Sequence, residues 1–262
     1  MSGNILETIA AHTRERVAAA KMSVSAEEMR RAALVMNPDT GFPFEAALSG
    51  PDIGFICECK KASPSKGLIA PDFPYLQIAR EYEAAGASCI SVLTEPKWFL
   101  GENRYLKEIA EEVSIPCIRK DFTVDPYMIY EAKTLGASAV LLICSLLERD
   151  TLSRYIGICD TLGLSALVEA HDEREIEDAV EAGARIIGVN NRDLKTFTVD
   201  VHNSERLRAL VPRSILFIAE SGIRTAEDIQ VLREAGVDGV LIGETLMRSA
   251  DKKKMLDGLR GI

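Results

Sequence analysis

The chain has 262 residues, of which 47% are hydrophobic and 27% charged, which suits one large α/β domain and excludes a disordered protein. A net charge of −9 argues against general binding to nucleic acid or to an anionic membrane, so an anionic ligand would need a local cluster of cations. No signal peptide opens the chain and no apolar run reaches about 18 residues, so we expect a cytoplasmic protein.

The cysteines and histidines form no pattern typical of a metal site. None of the six cysteines has the CxxC spacing of a zinc site or a redox dithiol, and the three histidines lie far apart. We therefore expect the cysteines to be small buried hydrophobic residues that stay reduced. A histidine-based metal site is not expected.

Residues 1–47 contain helical patterns and precede the first strand pattern. Two are clear, in ILETIAAHTRERVAAAK and SAEEMRRAALVM, and FPFEAAL is a candidate for a short third helix. This segment is too small for a separate domain, so we expect an N-terminal helical extension that packs across one mouth of the main domain.

Eight apolar runs of strand length follow, separated by amphipathic helical segments. They begin near residues 53, 88, 115, 138, 164, 185, 214 and 237. Four of these runs come directly after a glycine that would end a helix, and these glycines are 50, 47 and 53 residues apart: Gly86, Gly136, Gly183 and Gly236. That spacing is about twice the length of one βα unit.

The alternation of continuous apolar strands with helices indicates a parallel sheet covered on both faces. Eight such units in residues 48–262 predict a (β/α)₈ TIM barrel, an α/β fold that forms a single domain with its helical extension. The alternative is an open, doubly wound sheet. That fold would normally show a GxGxxG turn after its first strand, which this sequence lacks.

Charged residues lie at the predicted carboxyl ends of the strands, where barrel enzymes carry their functional groups. These are three cations and three carboxylates: Lys60, Lys120, Arg192, Glu58, Glu169 and Glu220. Alternation along the first strand places Glu58 and Lys60 on the same face. Burying such charges is costly unless they pair or meet a ligand, so the alternatives are an active site and a structural ion-pair network.

The last two strands end in glycine-containing turns, in AESGIRT and LIGETLM. Backbone N–H groups at such turns can bind a phosphate, which is a recurrent site on this fold. The presence of both turns in register predicts a phosphorylated ligand.

Six stretches occur in order at compatible spacing: ECKKASPSKG, IRKDF, LVEAH, GVNNRDL, AESGI and LIGETLMR. Together they resemble the successive signatures of the indole-3-glycerol-phosphate synthase family of tryptophan biosynthesis. That family converts 1-(2-carboxyphenylamino)-1-deoxyribulose 5-phosphate to indole-3-glycerol phosphate, carbon dioxide and water, and it needs no metal or organic cofactor. The resemblance implies a lyase with a small phosphorylated substrate, no nucleic-acid or membrane partner, and a monomer or weak homodimer.

The same resemblance implies roles for individual residues. Lys120 would be the principal general acid for ring closure, and Glu169 the general base or proton shuttle. Lys60 would lie beside the anionic groups of the substrate and could serve as an acid in the dehydration, and the division of the steps between the two lysines stays open. Glu58 and Asn190 complete the catalytic set by bonding the sugar hydroxyls and holding the lysine charges.

The remaining implied contacts are with the substrate. Those to its ring, carboxylate and sugar involve Ser63, Phe122, Leu141, Arg192, Leu194, Glu220 and Ser221, and those to its phosphate involve Gly222, Gly243 and Glu244. Because many relatives have serine where this chain has Glu244, only the backbone N–H of Glu244 is assigned to the phosphate. Without the resemblance, the three apolar residues of these sets could equally be ordinary core.

Two other functions fit the barrel. The first is an enzyme similar to phosphoribosylanthranilate isomerase, which would use a cysteine–aspartate pair where this first strand offers Glu58 and Lys60. The second is a non-catalytic phosphate-binding barrel, which would have little reason to bring Lys60, Lys120 and Glu169 together.

Overall fold

Eight parallel strands close into a barrel in the computed structural model, which describes residues 5–192, 198–200 and 202–262. The strands are β1 (Gly54–Cys59), β2 (Cys89–Leu93), β3 (Cys117–Lys120), β4 (Ala139–Ile143), β5 (Ser165–Ala170), β6 (Ile186–Asn190), β7 (Leu216–Glu220) and β8 (Gly239–Ile242). Each strand pairs with the next in chain order, and β8 pairs with β1. The (β/α)₈ prediction is confirmed, and the open-sheet alternative is excluded.

Three helices form the N-terminal extension: α1 (Ile5–Ser23), α2 (Ala26–Leu34) and α3 (Pro43–Leu48). The start of α1 lies over the carboxyl ends of the strands, where Leu6 and Ile9 line a cavity. At the opposite mouth, the α3 residue Glu45 bonds the first residue of β5, Ser165, and the arginine that precedes β6, Arg185. The prediction that the extension covers one mouth was therefore wrong in part, because its helices reach both.

The outer helices follow the strands, and side chains cap the start of some of them. They are α4 (Tyr75–Ala84), α5 (Asn103–Glu112), α6 (Pro126–Thr134), α7 (Arg149–Leu162), α8 (Glu173–Glu181), α9 (His202–Arg208), α10 (Ala226–Ala235), α11 (Glu244–Arg248) and α12 (Lys252–Arg260). Asp125 caps α6 ahead of a first-turn proline, and Thr225 forms a reciprocal capping box with Asp228 at the start of α10. The four glycines predicted to end helices all have φ between 77° and 90°.

The core has two layers, separated by the barrel wall. Inside the barrel, Ile56, Ile118 and Leu167 pack against one another, whereas Cys57 and Cys59 belong to the layer between strands and helices. Burial raises the pKa of Cys57 to about 12, which keeps this thiol protonated. All six cysteines are free, as expected for reduced thiols. Among the described residues, no helix is both long enough and apolar enough to cross a membrane.

Candidate active site

The carboxyl ends of the strands and the loops after them enclose a cavity of about 310 Å³. Every predicted site residue that the structure describes lines it: Glu58, Lys60, Ser63, Lys120, Phe122, Leu141, Glu169, Asn190, Arg192, Glu220, Ser221, Gly222, Gly243 and Glu244. The remaining predicted residue, Leu194, lies outside the described residues. Strand alternation and the common direction of parallel strands account for this convergence.

Lys120, the last residue of β3, lies between two buried carboxylates. Its Nζ is 3.2 Å from Glu169 Oε2 and 3.4 Å from Glu220 Oε2. Burial lowers the pKa of Lys120, but Glu169, Glu220 and then Glu58 outweigh that effect and raise the pKa above its ordinary value. In the absence of a ligand, Lys120 is therefore a firmly charged ammonium.

Glu169, near the end of β5, is held as a carboxylate. Its Oε1 accepts a hydrogen bond from Asn190 Nδ2 at 3.3 Å, and its Oε2 accepts one from Lys120. Burial raises the pKa of Glu169, but the charges of Lys120 and His171, with these hydrogen bonds, bring it below its ordinary value. A buried ionised carboxylate beside an ammonium is an arrangement suited to general acid–base catalysis.

Glu220, the last residue of β7, differs from Glu169 in its protonation. Burial, together with the nearby charges of Glu169 and Glu58, raises the pKa of Glu220 to about 7 despite the opposing effect of Lys120. Among the described residues, its buried Oε1 has no hydrogen-bond partner. Near neutral pH this group therefore exchanges a proton readily, and it can donate a hydrogen bond or accept one.

The Glu220→Gln variant is expected to lose less stability than the wild type as pH rises. Because the folded protein binds this proton more tightly than the unfolded chain does, the free energy of unfolding falls between pH 4.5 and about 7. A shift from 4.5 to about 7 corresponds to on the order of 3 kcal/mol. Urea unfolding at pH 5 and pH 8 measures the loss, with the exposed Glu15→Gln as control. Equal losses in wild type and Glu220→Gln would contradict the expectation.

Glu58 and Lys60 form a second ion pair at the end of β1, with 2.5 Å between Glu58 Oε1 and Lys60 Nζ. Gly243, directly after β8, makes room for this pair, because a Cβ at this position would collide with Glu58 Oε1 and lie 2.9 Å from Lys60 Nζ. Gly188 does the same for Glu220, since a Cβ there would collide with Glu220 Oε1. The two glycines thus leave space for charged side chains inside the barrel.

An apolar wall and a strained turn flank the charged groups. Phe122 and Leu141 pack against the apolar side chains inside the barrel, and the centroid of the Phe122 ring lies 6.0 Å from that of the Phe99 ring. After β7, Ser221 has a φ of 69° and Gly222 a φ of 84°. A left-handed conformation at a non-glycine residue carries strain, and such strain is concentrated at functional sites.

Several residues that line the cavity were not predicted from the sequence. Ile5, Leu6 and Ile9 of α1 close one side, and Arg248 of α11 lies on another. The amphipathic pattern of α1 predicts a buried face but does not say which surface covers it. Arg248 Nε is 3.1 Å from Glu244 Oε1, and Lys66 Nζ is 3.7 Å from the same oxygen, so Glu244 pairs with two cations at the rim.

The loop after β3 is fixed by contacts outside the cavity. Asp121 Oδ1 pairs with Arg16 of α1 at 2.7 Å, and its Oδ2 accepts a hydrogen bond from Thr94 Oγ1 at 2.6 Å. These contacts hold the backbone next to Lys120 and tie the extension to the site. In the described part of the chain, no three His, Cys, Asp or Glu side chains are grouped so as to hold a metal ion.

The closed barrel and the buried lysine–carboxylate cluster at its C-terminal mouth define a (β/α)₈-barrel enzyme. A family model described as indole-3-glycerol phosphate synthase matches residues 6–259, and the chain belongs to that family. It is 59% identical to an indole-3-glycerol phosphate synthase of Ruminiclostridium cellulolyticum, over 98% of this chain and 99% of the relative. It is 52% identical to one of Endomicrobium trichonymphae, with the same coverage.

More distant structures share the fold alone. A chain of the tryptophan synthase complex from Pyrococcus furiosus superposes with a TM-score of 0.61 at 15% identity, covering 80% of this chain and 99% of that chain. A thiamine phosphate pyrophosphorylase from the same organism has a TM-score of 0.59 at 16% identity, covering 80% and 94%.

Proposed function

We propose that this protein converts 1-(2-carboxyphenylamino)-1-deoxyribulose 5-phosphate to indole-3-glycerol phosphate, carbon dioxide and water. The observation that carries the proposal is the Lys120 ammonium between Glu169 and Glu220, inside a cavity that also has an apolar wall and a cationic rim. The substrate has an anionic carboxylate, an aromatic ring and a phosphate. The family to which the chain belongs supports the same reaction.

Ring closure is assigned to Lys120 as general acid. The ring carbon that bears the carboxylate forms a bond to the keto carbon of the sugar, and the keto oxygen takes a proton from Lys120 Nζ to become a hydroxyl. The bond to the carboxylate then breaks, carbon dioxide leaves, and the electron pair restores the aromatic ring. The carboxylates around Lys120 raise its pKa, which makes Lys120 a weaker proton donor. We propose that the bound substrate moves these carboxylates away from Lys120.

Dehydration is assigned to Glu169 with a lysine acid. Glu169 takes a proton from the methylene carbon next to nitrogen, and the hydroxyl leaves as water after protonation. Lys60 lies on the opposite side of the mouth, paired with Glu58, and serves as the acid for this step. Glu220 and Asn190 hold the sugar hydroxyls, and the pKa near 7 of Glu220 lets it act as donor or acceptor.

Substrate binding is divided along the cavity. Arg192 takes the carboxylate, because its planar guanidinium matches that group. The aromatic ring of the substrate is assigned to Phe122, Leu141 and Leu194. Ser63, in the loop after β1, is assigned a further contact with the substrate. The phosphate is assigned to the turns after β7 and β8, through Ser221, Gly222, Gly243 and the Glu244 amide. We further propose a cytoplasmic protein, a monomer or weak homodimer, that needs no cofactor.

Formation of indole-3-glycerol phosphate, followed by fluorescence, tests the proposed function. We expect turnover of the carboxyphenylamino substrate by the purified protein without added metal. Phosphoribosylanthranilate is the control substrate, and no isomerisation is expected because no cysteine is among the described cavity-lining residues. A folded protein that turns over only the control substrate, or neither, would reject the proposal.

Gly243→Ala is expected to lower kcat/KM by about 10-fold or more, because the new methyl group displaces the Glu58–Lys60 pair and misplacement by about 1 Å is costly in catalysis. Gly258→Ala is the matched control: Gly258 lies within α12 with open space around its Cα, so activity should be unchanged. Wild-type kcat/KM in a folded Gly243→Ala protein would show that the pair has no part in turnover.

A further inference from the structure

A histidine lies behind Glu169 and outside the cavity lining. His171 follows the last residue of β5, and its side chain is 19% exposed. Its Nε2 lies 3.4 Å from Glu169 Oε1, and its Nδ1 lies 3.0 Å from Glu175 Oε2 on α8. The ring therefore bridges the proposed base and a second carboxylate that does not reach the cavity.

The contacts around the ring determine its orientation. Glu175 Oε2 also accepts the backbone N–H of His171, and Ser145 Oγ donates to Glu175 Oε1, so this carboxylate is fixed from two sides. Asn203 Nδ2 donates to the carbonyl oxygen of His171 at 3.3 Å. Because an ionised carboxylate only accepts, Nδ1 carries a proton.

The other ring nitrogen points toward Glu169. His171 Nε2 is buried, and none of the residues that the structure describes meets hydrogen-bond geometry with it. If Nε2 were unprotonated, its lone pair would face a carboxylate oxygen, which is repulsive. Protonation of Nε2 removes this conflict and places a positive charge 3.4 Å from Glu169 Oε1, which also accepts a hydrogen bond from Asn190 Nδ2.

We propose that His171 is a positioning residue for Glu169: as an imidazolium held by Glu175, it fixes the orientation of the Glu169 carboxylate and keeps it ionised for proton abstraction. The inference rests on the proposed role of Glu169 as the base. It follows the general pattern in which a reactive group is oriented by a partner that is itself hydrogen-bonded to a third group.

The charges facing the ring come from several elements. They are Glu169 on β5, Glu175 on α8 and Glu220 on β7, and Lys120 on β3 faces the ring across Glu169. Burial lowers the pKa of His171, but Glu175, Glu169 and Glu220 outweigh it and raise the pKa above 6.5. The imidazolium therefore persists to higher pH than that of an ordinary histidine, and it is lost as pH rises through the raised pKa.

The contact can be measured without turnover. In the free protein with ¹⁵N-labelled histidine, we expect His171 to titrate above 6.5, the ordinary value for histidine. Glu169→Gln and Glu175→Gln should each lower this titration midpoint. A midpoint that neither variant changes would overturn the proposal, whether or not the protein turns over the proposed substrate.

Kinetic measurements across pH 5–9 test the effect of His171 on catalysis. We expect His171→Leu to lower kcat by about 10-fold, the scale for losing an orienting partner, with KM changed less than about twofold. His171→Gln keeps an amide donor and should recover part of the loss. The alkaline decline in kcat should disappear in both variants and move to lower pH in Glu175→Gln.

His202→Leu is the matched control. His202 forms a similar pair with Glu205, 3.0 Å apart, but it is exposed on α9. Its removal should leave kcat and the pH profile unchanged. If the wild type is active and His171→Leu keeps its kcat and alkaline limb, the positioning role is rejected while the proposed function stands. If the folded wild type shows no turnover, the proposed function is rejected instead.

Discussion

Lys120→Met is expected to lower kcat for indole-3-glycerol phosphate formation by at least about 10²-fold, the scale of acid–base catalysis. Methionine matches the lysine side chain as far as Cε but has no group that can donate a proton to the keto oxygen. Its uncharged thioether also leaves Glu169 and Glu220 without the ammonium that lies 3.2 and 3.4 Å from them. The pKa of each carboxyl should rise, so a smaller fraction of Glu169, the proposed base, is ionised.

The kinetic pattern separates this role from a binding role. If Lys120 acts mainly in the transition state, kcat should fall much more than KM rises. Exposed Lys107 on α5 provides the control, and Lys107→Met should keep wild-type kinetics. Thermal unfolding and far-UV circular dichroism show whether the variant is folded. Near-wild-type kcat in a folded Lys120→Met protein would reject Lys120 as the acid.

Local patterns predicted the barrel and much of the cavity lining. Alternation along the first strand placed Glu58 and Lys60 on one face, and the structure has both at the cavity, with Cys57 and Cys59 in the outer layer. A strand imposes this arrangement by its two-residue period, so short stretches of sequence suffice.

Such local patterns could not predict contacts between distant segments of the chain. The amphipathic helices of the extension predict a buried face, yet only the folded chain shows that α1 lies at the catalytic mouth and α3 at the other. His171 follows a strand, where a polar residue normally begins a loop. Its contact with Glu175 joins the end of β5 to α8. The sequence does not specify the path of the turn between these two elements.

The protonation of the carboxylates was likewise not readable from the sequence. Glu169 and Glu220 occupy equivalent strand ends, but the pKa of the first is lowered and that of the second is raised to about 7. The difference arises from neighbours: Glu169 faces Asn190, His171 and Lys120, whereas no residue in the described ranges donates a hydrogen bond to Glu220 Oε1. Opposite shifts in a close pair of carboxyls are typical of acid–base sites.

Glu169→Gln is expected to lower kcat by at least about 10²-fold while raising KM far less. Glutamine has nearly the same shape as glutamate, so the cavity should keep its volume and its contact with Asn190. What is lost is the negative charge and the capacity to take a proton from the methylene carbon. With Glu169 neutral, the pKa of Lys120 should fall, because Glu169 is the largest of the charges that raise it.

That fall in the pKa of Lys120 makes the experiment informative about the order of steps. A lower lysine pKa favours proton donation, so ring closure should proceed in Glu169→Gln while dehydration stalls. Rapid-quench analysis should then show a decarboxylated, still hydroxylated intermediate that accumulates ahead of product. The exposed Glu177→Gln on α8 serves as the control and should show no accumulation. Wild-type kcat, or carbon dioxide release that slows in step with product, would assign Glu169 to ring closure or to binding and remove it from the dehydration.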